Sequence, residues 1–351
     1  MKRSFRSFLL GIVIATLFCG CKEDIYNGNW IKVSTLSAKG RSASALFVID
    51  NKAYILGGYG YYYVKTFFNT TWGFDAESNS WFEYDTIPCT PCRQGVGFSI
   101  DGKGYFCGGI SKDDEFFADL YQFDPTKPFG SQWTKIDTDP YPGGEFYGGV
   151  GFSIGGYGYV GAGVNSRNGA SNEYYRYDPT KPAGSRWSKV NAPNAAKRLG
   201  ASCFVIGDRA YIVGGRHNNS RVQQFECYDA SEDKWIVISE NMLNDYNINL
   251  LYRYEASAFA IGNKGYITCG VKFTGEVLRD TWEYTPDVNG GKGAWQMIAD
   301  FEGPNRHAAM SFATNNRGYV ICGQNGVGPE TFLDDIWQFD PNQKYNERFF
   351  K

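Results

Sequence analysis

Only two histidines, His217 and His307, and only four methionines occur in the 351 residues. Two imidazoles exclude a histidine-rich metal centre unless both converge on one ion. Basic excess is also missing: 35 Lys and Arg stand against 37 Asp and Glu. Nucleic-acid binding is therefore disfavoured, because it needs many cations to displace phosphate counterions. After residue 20 there is no long hydrophobic run, so no membrane-spanning helix is predicted there. Helical periodicity is scarce as well. What abounds is aromatic residues, at 17%, and glycine, at 43 residues. That composition fits many short strands joined by tight turns.

The first twenty residues read as a targeting segment and are set aside. Lys2, Arg3 and Arg6 precede an apolar run from Phe8 to Phe18 that is too short to span a bilayer. Leu17-Phe18-Cys19-Gly20-Cys21 resembles a bacterial lipobox, which implies lipidation at Cys21. An ordinary secretory signal followed by a free or bridged Cys21 is the alternative. Lys22-Glu23-Asp24 is similar to a signal that sends lipoproteins to the cell surface, implying an outer-membrane, surface-exposed protein, with a periplasm-facing one as the alternative. Removing residues 1–20 leaves 32 basic against 37 acidic residues.

A repeat settles the fold class. FVIDNKAYILGG, FSIDGKGYFCGG, FSIGGYGYVGAG, FVIGDRAYIVGG, FAIGNKGYITCG and FATNNRGYVICG carry Tyr54, Tyr105, Tyr159, Tyr211, Tyr266 and Tyr319, at intervals of 51 to 55 residues. Five copies continue to an aromatic pair such as Tyr121-Gln122-Phe123-Asp124 and the fourth to Cys227-Tyr228-Asp229, and all but the last then reach a Trp: Trp81, Trp133, Trp187, Trp235 and Trp295. These residues resemble the kelch motif, which implies an all-β, six-bladed β-propeller with four-stranded antiparallel blades. Such sheets have two apolar faces and bury them only against copies of themselves. The sixth copy lacks its downstream Trp, and Asn29-Trp30-Ile31-Lys32-Val33 precedes the first copy without a blade of its own. The N-terminal strand is therefore predicted to close the ring, which removes exposed sheet edges. The expected organisation is a signal peptide over 1–20, a lipidated tether over 21–28 and a propeller over 29–351. Its blades fall at about 40–88, 93–141, 146–193, 198–240, 253–300 and 306–345 plus 29–36.

Function is expected on one face. The turns between first and second strands are two residues long, such as Asp50-Asn51 and Asn315-Asn316, and leave little to vary. The opposite face carries long, varied loops. These include the aromatic segment with Tyr61 and Tyr62, the segment Asp113 to Phe117, the polar loop with Arg216 and His217, and the crossing from Ser239 to Tyr252 with Leu250-Leu251. Thirteen residues before the repeated tyrosine stand Arg41, Arg198, Arg253 and Arg306, with Arg93 offset by one and Phe146 in the third copy. The kelch resemblance implies that this position faces the mouth of a central pocket, where guanidinium forks would suit carboxylate or phosphate ligands. For most of the five, burial with hydrogen bonds to the neighbouring blade's loop carbonyls is the preferred expectation, with one or two left facing solvent.

The chain is thus expected to be an envelope-anchored binding or scaffold module for a glycan, peptide or partner protein, touching membrane only through its lipid. No cofactor or metal is expected. Galactose-oxidase-like kelch enzymes need two His, two Tyr and a Cys at their copper site, so His217 and His307 would both have to converge, which is not expected. The resemblance to sialic acid mutarotase, also a six-bladed kelch protein, implies sugar anomerisation as the runner-up function. It makes Glu145 and Glu255 candidate acid–base residues, with Arg198 and Arg306 to hold a carboxylate. Cys89 and Cys92 form a close pair that suits a small-loop disulfide, with two free thiols as the alternative.

Overall fold

Five-residue apolar runs with a two-residue turn fold each repeat into a hairpin. In the first blade Ala45–Ile49 pairs with Lys52–Leu56. Both turn residues, Asp50 and Asn51, have positive φ, which matches the right-handed twist of the flanking strands. Thr71–Asp75 and Ser80–Tyr84 extend the sheet outward. The structure, a computed structural model, describes residues 25–346 except 168, 193, 247–250 and 327–330. The predicted signal peptide and Cys21 lie outside the described residues.

Among the described residues, six such four-stranded antiparallel sheets form. The innermost strands, Ala45–Ile49, Val96–Ile100, Val150–Ile154, Ser202–Ile206, Ser257–Ile261 and Met310–Thr314, touch in order, and the last touches the first. The sheets therefore close into a ring. In the sixth blade the outer strand is Ile25–Thr35, paired antiparallel with Asp335–Asn346. Trp30 lies opposite Phe339, the register that Trp81 has with Phe74 and Trp133 with Phe123. Closure by the N-terminal strand is thus as predicted. The strand starts at Ile25, however, inside the stretch expected to be a tether, because the chain's far end is long enough to pair with it.

Packing between blades repeats as faithfully as the strands do. Each inner strand stacks a phenylalanine on the repeated tyrosine, from Phe47 and Tyr54 at 5.4 Å to Phe312 and Tyr319 at 4.6 Å. In four blades the residue before that tyrosine is a glycine that receives the previous blade's ring; a Cβ on Gly104 would strike Phe47. The second residue of the double-glycine step needs glycine for another reason. Gly58 has φ +87, and a Cβ there would come within 2.8 Å of the Ser42 carbonyl.

Candidate functional site

Before entering its innermost strand, each blade's chain runs beside its own loop between strands two and three. Arg41–Ser42 pairs with Tyr59 and Gly60, Cys92–Arg93 with Ile110–Ser111, and Arg253–Tyr254 with Val271–Lys272. These pairings put the long loops and the strand entries at one end of the ring, where the predicted recognition face belongs.

Two layers of side chains arise there because successive strand residues point opposite ways. Arg41, Arg198, Arg253 and Arg306 form the lower layer and are fully buried. Arg253 donates to the Cys269 carbonyl and grips Asp280 at 2.9 and 2.7 Å. Arg306 donates to the Cys322 carbonyl and grips Asp335 at 2.6 and 3.0 Å. Arg198 donates to the Gly214 carbonyl and approaches Glu226 at 2.8 Å. Arg41 has no carboxylate partner among the described residues; it donates to Thr70 and the Gly57 carbonyl and lies over Phe68 at 4.6 Å. The expected ring of guanidinium groups facing a pocket is therefore corrected for these four: they staple strand entries to loops. Burial lowers Arg41 to about 10, which leaves it charged at neutral pH. Burial would raise Asp335, but the Arg306 guanidinium outweighs it and holds the carboxyl low. At Glu226 the balance reverses, and burial raises the carboxyl despite Arg198.

One residue further along lie Arg93, Tyr147, Tyr254 and His307, all half-buried. The next residue in every blade has positive φ: Ala43, Gln94, Gly148, Gly200, Glu255 and Ala308. Their amides form a closed cycle. Ala43 N–H donates to Ala308 O, Ala308 to Glu255, Glu255 to Gly200, Gly200 to Gly148, Gly148 to Gln94 and Gln94 to Ala43, all at 2.7–3.0 Å. This cycle frames a cavity of about 130 Å³ at the axis. Four of the six positions are Ala or Gly, so the two long polar side chains, Gln94 and Glu255, command the opening.

Those two meet across the ring, from blade two to blade five: Gln94 Nε2 donates to Glu255 Oε1 at 3.0 Å. His307 Nδ1 contacts Glu255 Oε2 at 2.8 Å, which holds the imidazole against the carboxyl group. Arg93 donates to Gln94 Oε1 at 2.6 Å and stacks over Tyr59 and Phe67. Arg216 lies over Tyr254. Burial, reinforced by the Glu255 carboxylate, raises the phenols of Tyr59 and Tyr254 and keeps them protonated.

The remaining predicted residues scatter. Tyr59–Tyr62 and Val64–Phe67 form a hairpin whose tip exposes Tyr61, Tyr62, Val64 and Tyr63, the last to 93%. His217 pairs with Ser220 in a second short hairpin. Glu145 is exposed and accepts from Ser166, away from Glu255 in chain and partner. Cys89 and Cys92 are unbridged and line a separate cavity. The Ser239 to Tyr252 crossing, expected to receive a ligand, instead buries Met242, Leu251 and Tyr252; Leu250 lies outside the described residues. Among the described residues no three His, Cys, Asp or Glu side chains gather around one point. Sequence reasoning missed Gln94 and the amide cycle; the available signal was the run of small residues at the same register as Gln94 and Glu255.

Comparison with known proteins fits this geometry. The family model described as the attractin/LZTR1 β-propeller matches residues 21–282. The chain belongs to that family. Kelch-like protein 15 of Gallus gallus is 32% identical over 102 residues, 29% of this chain and 18% of that protein. Kelch-like protein 23 of Homo sapiens is 23% identical over 289 residues, 77% of this chain and 44% of that protein. The Kelch repeat and BTB domain-containing protein 1 of camelpox virus is 22% identical over 252 residues, 59% of this chain and 43% of that protein. The chain thus spans less than half the length of these curated relatives. It is thus a kelch-type attractin/LZTR1 β-propeller.

Proposed function

We propose that this propeller binds a partner protein or an exposed peptide through its long-loop face. The aromatic hairpin of blade one supplies apolar anchors, and the Arg93–Gln94–Glu255–His307 mouth supplies the polar centre. The observation that carries this reading is the exposed Tyr61-Tyr62-Tyr63-Val64 tip on the face that also holds the mouth. Aromatic and arginine side chains dominate binding hot spots, and an apolar tip this exposed costs solubility without a partner. A glycan is the alternative ligand, because an aromatic ring can stack on the C–H face of a sugar. Lipidation at Cys21 and display outside the outer membrane complete the proposal; the lipid would tether the face without taking part in recognition.

Peptide-display selection on the immobilised protein tests this. Enriched peptides should lose binding to an Arg93→Ala/Tyr62→Ser variant and keep it with Phe129→Ser, which alters an exposed residue of a turn between outer strands on the opposite face. Loss with Phe129→Ser alone would place recognition on the wrong side of the ring.

Anomerisation of an acidic sugar is the second reading, favoured by the carboxylate–imidazole contact of Glu255 with His307 beside the axial cavity. With Arg198 and Arg306 buried, Arg93 inherits the carboxylate-holding role. Proton NMR of a freshly released sialic acid anomer decides it: no acceleration over buffer removes this reading.

A further inference from the structure

The lower arginine layer has a gap in blade two. Strand pairing aligns Cys92 with Arg41, since Ser111 lies two residues past its double glycine as Gly60 does. Every group that receives a guanidinium elsewhere is nevertheless retained. Gly108 corresponds to Gly57, Cys269 and Cys322, whose carbonyls accept from Arg41, Arg253 and Arg306. Asp119 corresponds to Asp280 and Asp335, the carboxylates gripped by Arg253 and Arg306. Phe117 corresponds to Phe68, the ring under Arg41. Even the supporting bond recurs: Tyr121 donates to Asp119 Oδ2 at 3.2 Å, where Trp282 and Trp337 donate to Asp280 and Asp335.

These groups, with Cys89 and Cys92, line a cavity of about 370 Å³ between blades one and two. Blade three shows the contrasting solution, because Phe146 takes the arginine position and packs on Tyr141 at 4.5 Å. Cys92 is too short to fill the equivalent space. Asp119 is held from its exposed side by Lys135, which also reaches Asp137 at 3.5 Å, and both Lys135 contacts use exposed side chains.

We propose that this cavity binds a guanidinium group brought by a ligand, the side chain of an arginine on a partner polypeptide. The planar fork takes both Asp119 oxygens, donates toward the Gly108 carbonyl and lies against Phe117, the arrangement the chain builds internally in other blades. A lysine lacks that fork. The site rests on the long-loop face being the binding face only in that the cavity belongs to the same crossings; the axial mouth plays no part in it.

Calorimetric titration of the full-length protein tests the proposal with four probes: methylguanidinium, an acetylated and amidated Gly-Gly-Arg-Gly-Gly peptide, its Lys counterpart and free L-arginine. Methylguanidinium and the Arg peptide should bind saturably, and the Lys peptide at least about tenfold more weakly, the scale of one lost charge-assisted hydrogen bond. Asp119→Asn should weaken the Arg peptide by a similar factor, and Cys92→Arg, which supplies the guanidinium from within, should abolish binding without lowering the thermal midpoint. Should Cys92→Arg not fold, Asp119→Asn alone decides, because Asp119 is half-exposed. Free arginine binding more tightly than the peptide would overturn the polypeptide source. Equal affinity for the Arg and Lys peptides, no saturable binding of either guanidinium probe, or undiminished binding by Asp119→Asn would overturn the site itself.

Discussion

The lower and upper layers of the long-loop face lie one residue apart in sequence and differ in almost everything else. Arg306 has no exposed surface, two carboxylate bonds and two carbonyl bonds, whereas its neighbour His307 is about one-fifth exposed and meets the axial Glu255. Burial removes the water that would otherwise solvate a guanidinium, so the lower layer survives only where a loop supplies acceptors. The upper layer keeps some solvent and can exchange its partners. Arg93, shifted by a single residue from the motif position, falls in the upper layer and has no carboxylate partner among the described residues. A one-residue shift is thus enough to move an arginine from the buried layer to the half-exposed one.

The sharpest way to break this contrast is to attack the body below it. Trp30→Ala empties a fully buried site bounded by Phe301 and Phe339 and should cost about 3–5 kcal/mol, read from chemical denaturation. A loss below about 1 kcal/mol would show that the ring does not depend on its N-terminal strand.

Acid is the next lever. Asp335 has a depressed folded-state pKa, as do Asp124 and Asp178, whose carboxylates accept from Thr126 and Thr180 in their turns. Their contribution is complete above the unfolded value of about 4 and is lost as pH falls through the lower folded values. Glu226 has a raised pKa and works oppositely: its contribution is present below about 4.5 and fades as pH rises through the folded value. The midpoint should therefore fall steeply below about pH 4, and Glu226→Gln should flatten the milder decline just above it. An acid limb unchanged in Asp335→Asn would contradict the assignment.

Smaller effects belong to the upper layer. Glu255→Gly should leave stability within about 1 kcal/mol, because relief of the positive φ of 53° offsets two lost side-chain bonds, while peptide binding falls. Tyr63→Ser at the exposed hairpin tip should shift stability by less than about 0.5 kcal/mol yet weaken any selected peptide. A stability loss of several kcal/mol would mean that the mouth, for Glu255→Gly, or the hairpin tip, for Tyr63→Ser, is part of the core.

Much of the body was legible because the same physics recurs in six copies. The tyrosine spacing, the two-residue turns and the orphan Trp30 each constrain backbone and burial together, and the register of Trp30 on Phe339 follows from them. The arginines were placed at the correct strand position, but a spacing of thirteen residues carries no information about which way a side chain points. The offset of Arg93 was the useful signal. Glu255 was singled out for its chemistry; its partner Gln94 was not, because their contact joins opposite blades 161 residues apart. Likewise nothing in the sequence marks Asp119; only the pairing of its strand aligns it with Asp280 and Asp335.

The most direct test sets Arg306→Met beside Arg93→Met and compares their thermal midpoints. Leaving Asp335 buried without its partner should cost about 3–5 kcal/mol and lower the Arg306→Met midpoint by several degrees, while Arg93→Met stays within about one degree of the parent and loses the selected peptides. Equal midpoints for the two variants, or a larger drop for Arg93→Met, would contradict the division of this face into a structural and a recognising layer.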